Sequence, residues 1–174
     1  MYNRREVESL SYESLDKDQL NRLVSTSRKG DFLDKLLVTF TGYLGLREQE
    51  ILHLRADWID FQTQTVNIPA EDEDWPPEGV KTRPRTIPYG DLDKRLVTDI
   101  EYFFRDHDEL DTSKATIHNR IKKLAAKADI RTKVTVRKLR NTAAERWADQ
   151  VENMRDLQKL MGYEGFKPTE KFLD

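Results

Sequence analysis

Gly45-Leu46-Arg47-Glu48-Gln49-Glu50 lies between two segments of helical apolar spacing. Gly45 permits a tight helix-to-helix approach, and Arg47 falls at the start of the next helix, about Arg47 to Arg55, with Glu50 one turn on. An arginine placed there can point its guanidinium fork at an anion while Glu50 holds the side chain. The plainer alternative is a surface Arg–Glu pair worth a few tenths of a kcal/mol.

Upstream, Ser14 to about Lys29 reads as an amphipathic helix with Leu15, Leu20, Leu23 and Val24 on one side. Gly30 breaks it, and Asp31 can cap a more buried helix carrying Phe32, Leu33, Leu36, Leu37 and Phe40. Downstream the period changes. Trp58-Ile59-Asp60-Phe61 and Thr65-Val66-Asn67-Ile68 predict short strands, an acidic loop follows from Glu71 to Gly79, and a third strand is expected from about Val80 to Pro88. Helices return at about Asp91–Phe104, Ser113–Lys127 and Val136–Gln150, with shorter ones near Val151–Met161 and Thr169–Leu173. The expectation is a mainly α chain with a small inserted antiparallel three-stranded β-sheet. No internal repeat or Gly/Ser linker divides it, so residues 1–174 read as one domain with an N-terminal extension over 1–13.

The 174 residues include 30 Lys+Arg against 32 Asp+Glu, a net charge of −2, which at first argues against a nucleic-acid partner. Hydrophobic residues make up 37% and charged residues 36%, the latter high against roughly 25% in average usage. The charge is unevenly placed. Between Lys114 and Arg146 eleven basic residues face only Asp129 and Glu145, a net of +9 that leaves −11 for the rest. Such a basic half is the electrostatic footprint of a phosphate-backbone reader, although a solvated helix face would look the same. There is no cysteine, hence no disulfide, thiolate metal site or cysteine nucleophile. Neither a membrane span nor a secretory signal is legible, so a cytoplasmic, nucleoid-associated setting is expected.

Three further segments carry chemistry. In Gly79-Val80-Lys81-Thr82-Arg83-Pro84-Arg85-Thr86-Ile87-Pro88 a hairpin lysine, Lys81, can reach into a cleft as a proton donor or merely protect a sheet edge. In Thr135-Val136-Arg137-Lys138-Leu139-Arg140-Asn141-Thr142, Arg137 and Arg140 share a helix face near its N-terminus, where the backbone also favours anions. Leu160-Met161-Gly162-Tyr163 is followed by Thr169-Glu170-Lys171-Phe172-Leu173.

In this order, along essentially the whole chain, the segments resemble the tyrosine recombinase (phage integrase) family. The resemblance implies that Arg47 and Arg140 clamp a DNA phosphate, Lys81 acts as general acid, Glu50 supports the site, and no metal or other cofactor is used. Arg137 aligns with a family histidine, Tyr163 with a His or Trp after Gly162, and Phe172 with the tyrosine nucleophile. Arg137 stays protonated and cannot act as a base, whereas Tyr163 keeps an aromatic body and a hydroxyl. Phe172 has no hydroxyl, so strand cleavage through a 3′-phosphotyrosyl link is expected to be lost. Either Phe172 is a Tyr→Phe change, or the chain is a noncatalytic DNA-binding paralogue acting as accessory or repressor.

Double-stranded DNA is the implied partner, with Lys114, Arg120, Lys122, Lys123, Lys133 and Lys138 as candidate contacts. Self-association on DNA is implied for a full-length enzyme, and a lone domain would be monomeric. The family's N-terminal DNA-clamping domain is expected to be absent. A helical protein–protein interaction domain is the third reading. Trp147, Met161 and Phe166 are assigned to the core or to helix packing, and His53, His107 and His118 have no ligand-like spacing.

Overall fold

The computed structural model describes residues 14–164, and the Thr169–Leu173 helix and Phe172 lie outside them. Helix α1 (Lys17–Ser27) starts later than the apolar spacing alone suggests. The Asp16 carboxylate accepts from the Gln19 amide, and Gln19 returns a bond to the Asp16 amide, a reciprocal cap that sets the first turn. Asp31 caps α2 (Phe32–Val38) as expected. The chain then widens into a π-helical turn, Thr39–Tyr43, closed by the Leu44 amide on the Thr39 carbonyl. Gly45 leaves this turn at φ +78, where a Cβ would meet the Met161 thioether at 2.9 Å. A side chain there is excluded both by backbone strain and by space. Helix α3 (Glu48–His53) follows.

The sheet has the order β1-β2-β3, with β1 (Ile59–Asp60), β2 (Thr65–Ile68) and β3 (Arg85–Pro88) all antiparallel. It is shorter than expected at both ends. Ala56–Trp58 forms a 3-10 turn that buries the Trp58 ring, whose Nε1–H donates to Asp72. The β2–β3 ladder stops at Ile68 opposite Arg85 because Pro69 and Pro84 follow on either side, and neither has an N–H to extend it. Lys81 therefore sits in the irregular connection between the strands and not on a hairpin strand.

Four helices complete the described fold: α4 (Lys94–Asp106), α5 (Lys114–Lys127), α6 (Val136–Ala148) and α7 (Met154–Met161). Ser113, Thr135 and Asn153 cap the last three through their side chains. One core unites them, with Phe40, Leu44, Ile51, Ile87, Tyr89, Ile100, Ile117 and Leu139 fully buried. Trp147 and Met161 belong to it, as expected, and Phe166 lies outside the described residues. Helix α6 packs on the π-helical turn, and α7 packs on both α6 and β3. This packing brings residues 47, 85, 140 and 162 together.

Candidate active site

Three arginines meet at the C-terminal end of α7. Arg85 Nε donates to the Leu160 carbonyl (2.9 Å), Arg140 Nη2 to the Met161 carbonyl (3.2 Å) and Arg47 Nη2 to the Gly162 carbonyl (2.7 Å). Three successive carbonyls, left without helical partners at a helix end, each receive one guanidinium, where the macrodipole also favours cations. Arg140 Nε adds a bond to the Gly45 carbonyl (2.9 Å). The turn depends on Gly162 at φ +66, because a Cβ would lie 2.8 Å from Arg83 Cβ and 3.1 Å from Arg85 Nη1.

Glu50 does not hold the Arg47 guanidinium, contrary to expectation. Its carboxylate accepts the Arg47 backbone N–H (2.8 Å) and takes Arg85 end-on, with Nη1 at 2.6 Å and Nη2 at 2.8 Å. Both side chains of that pair are almost fully buried, at 3% and 2% exposure, so the pair belongs to the interior. Burial alone would raise the Glu50 carboxyl, yet the Arg85 bonds and charge and the Arg47 amide hold it below the usual glutamate range. Burial, joined by the charge of Arg47, lowers Arg140 to about 10, still protonated near neutral pH. Burial likewise lowers Arg47, against the raising effect of Glu50. The result is a cluster of partly buried positive charge with less water to screen it than at the surface.

The other expected site residues take varied places. Tyr163 is half-buried beside the arginines, with its amide on the Gln158 carbonyl. Burial raises its hydroxyl pKa, while the charges of Arg140, Arg47 and Arg85 oppose that. Lys81 is 77% exposed, its Nζ 3.8 Å from Glu164, which also pairs with Arg83 at 3.4 Å. Arg137 is exposed on the first turn of α6. Phe172 lies outside the described residues. Among those residues no group of three His, Asp or Glu side chains could hold a metal ion.

A family model described as the phage integrase family matches residues 13–173, nearly the whole chain. The chain belongs to the phage integrase family. It is a catalytic domain of the tyrosine recombinase type, mainly helical with a three-stranded antiparallel sheet. Among solved structures it is similar to XerA recombinase, with a TM-score of 0.72 at 22% identity over 91% of this chain and 59% of that one. The XerH site-specific recombinase bound to its difH substrate gives 0.71 at 14% identity, over 92% of this chain and 50% of that one. The catalytic domain of bacteriophage HP1 integrase gives 0.64 at 16% identity, over 91% and 85%. The chain thus spans only half to three-fifths of the XerA and XerH chains. No curated protein sequence matches it.

The chain carries its basic segment on α5, on the connection to α6, and on α6 itself. Lys122, Lys123 and Lys133 are exposed, and Lys114 is exposed with Nζ 3.9 Å from Glu48. Arg120 instead bridges to α2, with Nη1 at 2.7 Å from Asp31 and 3.1 Å from Asp34. Lys138 is buried at 8% exposure with Nζ on Thr132 Oγ1 (3.0 Å), and burial lowers its pKa. Among the described residues no helix is long and apolar enough to cross a membrane.

Sequence reasoning gave Arg85 no role, although its register was legible. It stands two residues before Ile87 in a short strand, on the buried side where an arginine demands a partner. Arg146 was counted only as surface charge, yet it is partly buried, with Nη2 on the Tyr43 carbonyl and its guanidinium 4.2 Å from the Trp147 ring centroid. Its neighbours in sequence carry no signal of that role.

Proposed function

We propose that this chain is the DNA-binding catalytic domain of a site-specific recombinase or integrase whose nucleophile position is held by Phe172. The observation that carries the reading is the convergence of Arg47, at the N-cap of α3, and Arg140, within α6, on the adjacent carbonyls of Gly162 and Met161. Each guanidinium has five N–H donors, and the bonds to described residues engage one group of Arg47 and two of Arg140. Donors so placed suit the non-bridging oxygens of a phosphodiester, where negative charge grows in a pentavalent transition state.

With a tyrosine at position 172, its hydroxyl would lose its proton to solvent, its oxygen would bond to phosphorus and the P–O5′ bond would break. The 5′-oxygen would take a proton from Lys81, leaving a 3′-phosphotyrosyl link. Attack of a 5′-hydroxyl on that link reverses the step and joins a new strand, with no high-energy cofactor and no metal. Phenylalanine supplies no oxygen, so this chain binds DNA and does not cut it. The exposed Lys122, Lys123 and Lys133 supply phosphate contacts, and a cytoplasmic, nucleoid-associated location follows from that partner.

The experiment restores the oxygen. Phe172→Tyr, incubated with nicked suicide duplexes drawn from the DNA flanking the source gene, is expected to form a protein–DNA adduct that Arg140→Ala abolishes. Binding of the unaltered chain to a mixed-sequence duplex is expected to weaken steeply with salt, roughly 10³–10⁵ between 50 and 200 mM for 6–10 phosphate contacts. Affinity that is absent or indifferent to salt refutes the reading in favour of a protein-interaction domain. Salt-dependent binding without any adduct supports the noncatalytic accessory paralogue, which accounts for the basic stretch and Phe172 equally well.

A further inference from the structure

We infer that Arg85 is a positioning residue for the phosphate clamp: with Glu50 it fixes the last turn of α7, and that turn aims Arg47 and Arg140. The inference rests on the clamp reading above. Its basis is a closed circuit of hydrogen bonds. The Arg47 amide donates to Glu50, Glu50 accepts both terminal nitrogens of Arg85, and Arg85 Nε donates to the Leu160 carbonyl. Two residues further on, the Gly162 carbonyl accepts the Arg47 guanidinium, which closes the circuit. The Met161 carbonyl between them takes Arg140.

Arg85 itself is not a phosphate ligand in this arrangement. Its Nε is spent on Leu160, Nη2 on Glu50, and Nη1 on Glu50 and the Arg83 carbonyl (3.0 Å), and the side chain is 3% exposed. Glu50 neutralises its charge, so what remains is geometry. It pins β3 to α3 and both to the end of α7. The Gly162 backbone leaves no slack, because a single added carbon would strike Arg83 and Arg85. A guanidinium is required at position 85, since only its planar fork can meet a carboxylate end-on through both Nη groups and a carbonyl through Nε at once; lysine has no such geometry.

The test follows the arginine Nε–H signals of the full chain by ¹⁵N NMR while inorganic phosphate is added. In the unaltered chain the Arg47 and Arg140 signals are expected to shift saturably and the Arg85 signal to stay in place. Arg85→Lys keeps the charge and is expected to weaken phosphate at least about tenfold, because an aiming error of an ångström is that costly. Glu50→Met/Arg85→Met replaces the buried pair by apolar side chains, a change often tolerated by folds, and is expected to show the same loss with unfolding temperature retained. A merely structural Arg85 would lower the unfolding temperature and leave phosphate affinity in the folded range untouched.

Native affinity in either folded variant overturns the inference. So does an Arg85 signal that moves with phosphate as Arg47 does, a result that needs no variant to fold. Arg47→Ala and Arg140→Ala are the controls. If they leave phosphate affinity unchanged, the clamp itself is refuted and the positioning role with it, an outcome distinct from failure at Arg85 alone.

Discussion

Glu50→Gln removes one charge from the interior and almost nothing else. Glutamine has the same shape, but it presents an NH₂ group to an arginine that offers only donors, and it leaves the Arg85 charge unpaired at 3% exposure. Removing one partner of a buried pair costs about 3–5 kcal/mol. In a domain of this size each kcal/mol is about 2–4 °C, so the unfolding temperature should fall by roughly 6–20 °C. The pH dependence gives a sharper check. The Glu50 carboxyl is depressed in the fold, so its contribution is complete above its unfolded value, near ~4.3, and is lost as pH falls through the folded value. Protonated Glu50 then resembles glutamine. Urea unfolding of both proteins from pH 7 downward should show a gap that is full at neutral pH and closes in acid below about pH 4. A gap under about 1 kcal/mol at pH 7, or one independent of pH, would refute the interior ion pair.

Gly162→Ala should cost at least ~1–2 kcal/mol from the left-handed backbone alone, more with the 2.8 Å contact to Arg83, and thermal unfolding would register it. Arg120→Ala and Lys123→Ala should separate in their effects. The first loses the bridge to Asp31 and Asp34 and about 1 kcal/mol of stability without altering the salt dependence of duplex binding. The second keeps its stability and lowers the log–log salt slope by ~0.9. Burial raises the Glu145 carboxyl, partly opposed by the Ser14 hydroxyl, so its ionised form weakens the fold above the unfolded value. Glu145→Gln should therefore unfold at a higher temperature at pH 7, and the advantage should vanish in acid.

Helix order, the Asp31 cap and the core were legible in the sequence because they are written in local spacing, and the other caps follow the same local rule. Asp16, Asp31, Ser113 and Thr135 cap because a short side-chain acceptor next to free amides needs no distant partner. The Gly45 approach and the burial of Met161 were legible for the same reason. Strand β3 was overestimated because its length depends on Pro69, on the other strand, as much as on its own residues. The basic segment was legible as a sum of charge but not as a surface. Burial withdrew Lys138, and the carboxylates of α2 engaged Arg120.

The order of short motifs along the chain carries the family, and it singles out Arg47 and Arg140 as the proposed phosphate clamp and Phe172 as the proposed nucleophile position. Tertiary structure alone decided the partners: Glu50 serves Arg85 and a backbone amide, and the end of α7 receives three arginines from β3, α3 and α6. The physical reason is that spacing along a chain encodes periodic burial and local hydrogen bonds. The choice among several buried guanidinium groups for one carboxylate or one free carbonyl depends on distances set by the packing of elements more than 100 residues apart.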